Sequence, residues 1–238
     1  MNGMHGFIGE LFGTMILIAL GTGSGAGLNL NKTYAKGKDW LFVSFAWGFA
    51  VTMGVYVAGV LGSDGHLNPA VTIGFAAFGF FPWSEVLPYI LGQFIGAFLG
   101  AALVIIQFAP HFKASKNEAE GNSVGIFATR PAIKSPLFNF LSELIATFVF
   151  IFILLNLGDF TQGLKPLIVG LLIAVVGMGL GTTTGFAINP ARDWGPRLAY
   201  TILPVPNKGN AEWSYSWVPM FGPLVGGLIA AGLEVLVH

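Results

Sequence analysis

The chain has 238 residues, of which 54% are hydrophobic and 9% are charged, and its formal net charge is zero. A soluble domain carries about 25% charged residues, so this composition, with a mean hydropathy of +0.74, indicates an integral membrane protein. The balanced charge excludes the basic face that nucleic-acid binding needs. The lack of cysteine excludes disulfides and thiolate metal sites.

Six apolar segments in chain order are each long enough to cross a hydrocarbon core of about 30 Å as a helix. The first is predicted to be a permanent span, because residues 1–6 lack the basic start of a secretory signal. Two further apolar stretches are too short to span and are predicted to be half-spanning helices. The six spans are 6–29, 40–61, 85–108, 137–157, 164–184 and 217–237, and the two half-helices are 68–80 and 189–201.

The order of these segments repeats, which predicts one channel domain, 1–238, made of two halves. The halves cover approximately 6–108 and 137–237 and are joined by a polar loop, 109–136. Each half contains three spans and one short segment after its second span. Because three is an odd number, the second half must be inverted in the membrane, and paired short segments in inverted halves indicate a central site.

Each short segment opens with the same triplet, Asn68-Pro69-Ala70 in the first half and Asn189-Pro190-Ala191 in the second. One such triplet is typical of an ordinary helix start, since Asn is a favoured N-cap and Pro suits the first helical position. Two copies at matching places predict half-helices that meet by their N-termini at mid-membrane. The helix dipoles then place positive potential there, which repels cations, and each Asn amide is expected to be free to donate to a solute.

These features resemble the major intrinsic protein (aquaporin) family, and within it the bacterial glycerol uptake facilitators, or aquaglyceroporins. The resemblance rests on both triplets, the six spans, a Glu in the first span of each half, and the acidic residue at the end of Asn-Pro-Ala-Arg-Asp, 189–193. It implies an all-α fold with six transmembrane helices and two re-entrant half-helices. It also implies a homotetramer in the lipid bilayer.

The resemblance carries over a selectivity filter of four residues. In this filter two aromatic rings form an apolar corner, an arginine supplies a fork of donors, and a glycine leaves room that a histidine would fill in a water-selective channel. The four are Trp47, Gly177, Phe186 and Arg192.

Four polar residues are expected to support the re-entrant segments. Glu10 and Glu143 are intramembrane charges, functional or structural by default; a structural role holding backbone N–H groups is favoured over a proton relay, because no chain of acidic groups or histidines accompanies them. His66 is expected to order its loop or to face the pore, and Asp193 is typical of the glycerol-conducting branch. Around 61–65 the chain is one residue longer than the usual family pattern, which leaves the carbonyl register of this loop open.

The expected function is passive diffusion of glycerol, other small neutral solutes and water, with exclusion of ions and protons. No enzymatic activity, catalytic residue, metal or cofactor is expected. The alternatives are a channel mainly for water, urea or an undissociated organic acid; an ion-coupled transporter built on inverted repeats; and a junction or scaffold protein with a closed pore. These alternatives differ in the solutes they conduct and in whether they need an ion gradient.

The orientation signals conflict. The resemblance implies a cell-membrane protein with both termini in the cytoplasm, which places the connectors 30–39, 109–136 and 202–216 outside. Those connectors hold most of the Lys and Arg residues, and the positive-inside rule favours the opposite orientation. We expect the orientation that the resemblance implies, with both termini in the cytoplasm.

Overall fold

The computed structural model describes residues 3–161 and 163–238. Over these residues the regular structure is entirely helical, in agreement with the predicted all-α class. The eleven helices of the described chain are α1 (Gly3–Asn29), α2 (Trp40–Val60), α3 (Pro69–Ala77), α4 (Trp83–Gln107), α5 (Ala109–Ala114), α6 (Glu118–Gly121), α7 (Ser123–Phe127), α8 (Pro136–Leu155), α9 (Lys165–Leu180), α10 (Pro190–Ile202) and α11 (Trp217–Val237).

Five helices, α1, α2, α4, α8 and α11, are long and apolar enough to cross a membrane. The remaining predicted span, the fifth in chain order, corresponds to α9 and is shorter than the 20 residues or so expected of it. It has 16 residues and ends at Leu180, about 24 Å from its start at 1.5 Å per residue. The helix stops there because the next residues, Gly-Thr-Thr-Thr-Gly at 181–185, leave helical geometry and run toward the second triplet.

The two half-helices begin where the triplets predict, with Pro69 and Pro190 at their first positions. The first is shorter than expected: α3 ends at Ala77 rather than at residue 80, and Gly79 then turns the chain with a φ of 83°. A left-handed φ of this kind costs glycine little and ends the helix.

The packing follows the two-fold repetition of the sequence. In the first half α1 packs on α2 and α4, and in the second half α8 packs on α9 and α11. Each half-helix packs on the closing span of the opposite half, α3 on α11 and α10 on α4, while α2 packs on α9 across the centre. The half-helices therefore tie the two halves into one body.

Glycines lie at the matching helix interfaces of the two halves. A methyl group at Gly96 of α4 would collide with the carbonyl oxygen of Leu11 in α1, and one at Gly226 of α11 would collide with the carbonyl oxygen of Leu144 in α8. Small residues at these positions let the helix backbones come this close.

The connector 109–136 is not the plain loop that was predicted. It contains α5, α6 and α7, and its residues Phe112, Val124 and Phe127 are fully buried. These apolar side chains, scattered among polar ones, pack α7 against α1 and α10. The connector therefore covers one end of the second half-helix as well as joining the halves.

Candidate pore and selectivity filter

Glu143, buried in α8, holds the segment that leads into the second triplet. One carboxylate oxygen accepts the N–H of Ala187 at 3.0 Å, and the other accepts the N–H of Ile188 at 2.9 Å. At membrane depth a backbone N–H needs a protein partner, because no lipid group can supply one. With their N–H groups bonded to Glu143, these two residues are held in an irregular conformation, in which Ile188 takes a left-handed φ of 43°.

Glu10, buried in α1, does the same in the first half. It accepts the N–H of His66 at 2.9 Å and that of Leu67 at 2.6 Å. Ser63 and Gln93 add side-chain donors at 2.5 and 2.7 Å. Both glutamates thus bind the residues one and two places before an asparagine of a triplet, a repetition that the sequence alone did not reveal.

The open question about the loop before the first triplet has a structural answer. The two residues that precede Asn68 bind Glu10 as their counterparts bind Glu143, so the register next to the triplet is the same in both halves. The preceding turn contains Gly62 and Gly65, which take φ values of 88° and 69°. Asp64 and Gly65 of this turn already line the cavity described below.

The triplet asparagines cap their own helices and also cross-link the two halves. The side-chain oxygen of Asn68 accepts the N–H of Ala70 at 2.9 Å, and that of Asn189 accepts the N–H of Ala191 at 3.0 Å. The amide of Asn68 donates to the carbonyl of Ile188 at 2.8 Å, and the amide of Asn189 donates to the carbonyl of Leu67 at 2.7 Å.

This cross-linking corrects the expectation that each asparagine amide is free. An amide group has two N–H donors, and one of them is committed to the opposite segment in both Asn68 and Asn189. The second is left for the cavity that both residues line. Pro69, Ala70, Pro190 and Ala191 start the half-helices and are buried.

A cavity of about 580 Å³ passes the two asparagines. One end is lined by Trp47, Phe186 and Arg192, and the other by Asp64 and Lys165. Its wall is mostly aliphatic and aromatic, with a few polar side chains at the triplets and at the two ends, as is usual for small-molecule sites. The apolar wall residues include Val51, Val55, Val71, Phe75, Phe150, Leu154, Val169 and Ile173.

Three of the four expected filter residues meet at the end of this cavity. The guanidinium carbon of Arg192 lies 4.0 Å from the centre of the Trp47 ring, a cation–π distance. One of its nitrogens donates to the carbonyl of Phe127 at 3.1 Å. Phe186 lines the cavity beside them. The guanidinium is thus fixed on two sides, and its other N–H groups remain for a solute.

Gly177 has a different place from the one expected. The described cavity wall includes Phe186 but not Gly177. A methyl group built on Gly177 would lie 2.9 Å from the tip of the Phe186 ring. The space left by the missing side chain is therefore filled by Phe186 and is not left open to a solute.

Asp193 forms a buried ion pair that the sequence reading missed. It bonds Arg197 at 2.8 Å, with both side chains fully buried. The same carboxylate accepts the backbone N–H and the hydroxyl of Thr129, each at 2.7 Å. The i, i+4 spacing of an acid and a base on α10 was the available signal. The pair fixes the connector two residues beyond Phe127, whose carbonyl holds Arg192.

His66 both orders its loop and lines the cavity, so its two expected roles coexist. Its Nδ1 lies 3.1 Å from the hydroxyl of Thr72. Its ring packs edge-on against Phe75, Phe81 and Tyr89. The imidazole is therefore wedged between the re-entrant segment and the aromatic side chains near α4. Across the described residues, no group of three or more His, Cys, Asp or Glu side chains could hold a metal ion.

The fold and the cavity define a class: a helical membrane channel in which two capped half-helices meet at mid-depth. The family model described as "Major intrinsic protein" matches residues 1–233. The chain belongs to the major intrinsic protein family.

Individual relatives agree with this assignment. The chain is 70% identical to "Glycerol uptake facilitator protein 2" of Lactiplantibacillus plantarum over 98% of this chain and 100% of the relative. It is 49% identical to "Glycerol uptake facilitator protein" of Streptococcus pneumoniae, strain R6, over 95% of this chain and 97% of the relative. The solved structure of the aquaglyceroporin from Plasmodium falciparum superposes with a TM-score of 0.84 at 31% identity, covering 98% of this chain and 95% of that one.

The contacts of Glu143 lead to a stability prediction. In Glu143→Gln the amide oxygen can accept one backbone N–H, but the NH₂ group then faces the other. We expect the free energy of unfolding to fall by about 2 kcal/mol, which lowers Tm in detergent by roughly 4–8 °C. We also expect reduced solute flux. Thermal unfolding followed by tryptophan fluorescence measures the shift.

The matched control is Glu234→Gln, because Glu234 also lies in a span but accepts from the side chain of Asn156, at 2.7 Å. A glutamine oxygen can accept that bond equally, so Tm should change little. Equal shifts in the two variants would contradict the assigned role of Glu143.

Proposed function

We propose that this chain is a passive channel for glycerol and other small neutral solutes, including water. The observation that carries the proposal is the end of the cavity, where the ring of Trp47 and that of Phe186 adjoin the donor fork of Arg192. A polyol has carbon–hydrogen groups on one side and hydroxyls on the other. An apolar wall facing a fixed set of donors matches both sides at once.

Gly177 takes part in this filter indirectly. It admits the Phe186 ring, which becomes the apolar wall. A histidine at this position would collide with that ring. We therefore infer that Gly177 and Phe186 act as a pair, and that the wide aromatic wall they form suits a polyol better than it suits water alone.

Cation exclusion has two sources in this proposal. Arg192 places a fixed positive charge in the constriction, where a cation loses its hydration shell. The N-termini of α3 and α10 meet at Asn68 and Asn189, and their dipoles add positive potential at mid-membrane. The second N–H of each asparagine offers a hydrogen bond to a solute oxygen and none to a cation.

The supporting residues complete the proposal. Glu10 and Glu143 hold the irregular backbone of the re-entrant segments in place, His66 packs against the first re-entrant segment, and Asp193 anchors the connector that holds Arg192. The bond partners of the two glutamates favour this structural role over a proton relay. We also propose a homotetramer, which the family resemblance supports, with each copy enclosing its own pore.

Proteoliposome swelling measured by stopped-flow light scattering tests the function. We expect glycerol to enter at least about tenfold faster than into empty liposomes, a difference in barrier of about 1.4 kcal/mol, with faster water flow as well. Urea and an undissociated organic acid complete the panel. Faster water flow with glycerol entry at the empty-liposome rate would favour a water channel.

The same panel separates the remaining alternatives. Uptake that saturates and is abolished by collapsing an ion gradient would favour a coupled transporter. No permeability to any small solute would favour a junction or scaffold protein with a closed pore.

The filter assignment predicts the effect of removing the aromatic wall. In the double variant Trp47→Ala and Phe186→Ala we expect the constriction to widen and the ratio of larger-polyol to glycerol flux to rise. Phe148→Ala with Phe152→Ala is a suitable control, because these rings stack on each other at 5.8 Å and neither forms part of the described cavity wall. An unchanged ratio in the first pair would show that Trp47 and Phe186 do not set the size limit.

We propose that both termini are cytoplasmic, following the family and against the charge bias. Because the chain has no cysteine, single introduced cysteines can report the orientation. Lys116 is exposed in the 109–136 connector, and Asp159 is exposed in the loop before α9. The two variants are therefore Lys116→Cys and Asp159→Cys. An impermeant maleimide added to intact cells should label the first and not the second. The reverse pattern would overturn this orientation.

A further inference from the structure

Trp40, the first residue of α2, makes two contacts with the filter region. Its indole N–H donates to the carbonyl of Gly177 at 2.9 Å. Its ring meets Phe186 edge-on, with centroids 5.7 Å apart and an interplanar angle of 74°. Edge-to-face geometry of this kind is favoured between aromatic rings. One side chain thus binds both members of the Gly177–Phe186 pair.

The backbone of Phe186 requires such support. Its φ is 38°, in the left-handed region that a bulky side chain rarely occupies. A residue held there persists only when its surroundings fix it. The Phe186 ring lies against Gly177 of α9 and against Gly181, which follows that helix, and a methyl group built on either glycine would come within 2.9 Å of ring atoms. Trp40 covers the ring from the α2 side.

The described cavity wall includes Phe186 but not Trp40. Trp40 is half-buried, and its backbone carbonyl accepts the hydroxyl of Ser44 at 2.9 Å. The same hydroxyl oxygen lies 3.2 Å from a methyl group built on Gly177. Trp40 and Ser44 therefore cover one face of α9 behind the filter, and any effect of Trp40 on a solute passes through Phe186.

We propose that Trp40 is a positioning residue that sets the size limit of the channel by fixing the Phe186 ring. This inference rests on the proposed function and deepens it. With Trp40 in place, the ring is held between α2 and α9. Without it, the ring can turn away from the cavity, and the constriction admits a wider solute.

The test is the ratio of erythritol to glycerol flux in proteoliposomes. For Trp40→Leu we expect this ratio to rise about three- to tenfold, the size expected for the loss of one aromatic pair. Trp40→Phe keeps a ring against Phe186 but removes the N–H bond to Gly177, so its ratio should lie between those of wild type and Trp40→Leu. If the leucine variant does not fold, the phenylalanine variant decides the question.

Trp217 provides a matched control. It is the first residue of α11, is part-exposed, and packs on Phe140 with centroids also 5.7 Å apart. Phe140 is not among the described residues of the cavity wall, so Trp217→Leu should leave the flux ratio unchanged. A comparable rise in Trp217→Leu would mean general loosening and would overturn the inference.

A double-mutant cycle separates positioning from a merely structural role. If Trp40 acts through Phe186, then Trp40→Leu should change the ratio little in a Phe186→Leu background, because coupled residues are not additive. Additive effects, or an unchanged ratio in both Trp40 variants, would overturn the inference. If the wild type excludes glycerol, the proposed function fails. The role of Trp40 can then still be tested by applying the same criteria to the ratio of urea flux to water flux.

Discussion

The fold depends on satisfying backbone hydrogen bonds in the middle of a membrane. A re-entrant half-helix brings extended chain to that depth, where each unpaired N–H or carbonyl costs several kcal/mol by transfer estimates. Two buried carboxylates and two asparagine amides meet this need. Glu10 and Glu143 bind the N–H groups before each triplet, and Asn68 and Asn189 bind the carbonyls of the opposite segment.

These partners also decide what the cavity presents to a solute. Because the N–H groups just before each triplet are bonded to glutamates, the donors offered to a solute near the triplets are the second amide N–H groups of Asn68 and Asn189 and the Arg192 fork. The opposite wall is built from apolar residues of α2, α8 and α9. Backbone satisfaction and an amphipathic lumen are thus two results of one set of hydrogen bonds.

Much of the fold could be predicted from the sequence, because the membrane imposes simple lengths and the repeated triplets fix the topology. The fifth span was overestimated because residues 181–184, Gly-Thr-Thr-Thr, were counted with it although they belong to the re-entrant segment. The helices in the connector were missed because they are short, and their burial comes from contacts with α1 and α10 that no local pattern shows.

The candidate site, like the fold, could be predicted from the sequence only in part. The residues of the proposed filter are marked in the sequence by their motifs, and the two buried glutamates by their charge inside apolar runs. The hydrogen bonds from Asn68 to Ile188 and from Asn189 to Leu67 depend on which segments meet in space, and so do the burial of Arg197 and the position of Trp40. Gly177 shows the limit most plainly: its small size was visible in the sequence, but the side chain that occupies the space was not.

The exchanged bonds of the two asparagines have a kinetic consequence. Each half of the molecule donates to the other at mid-depth, so the halves cannot rock apart without breaking both bonds at once. An alternating cycle, in which a site opens first to one side and then to the other, would require that step in every turnover. The architecture favours a pore that stays assembled while solutes pass. The activation enthalpy of transport would then come mainly from dehydration of the solute.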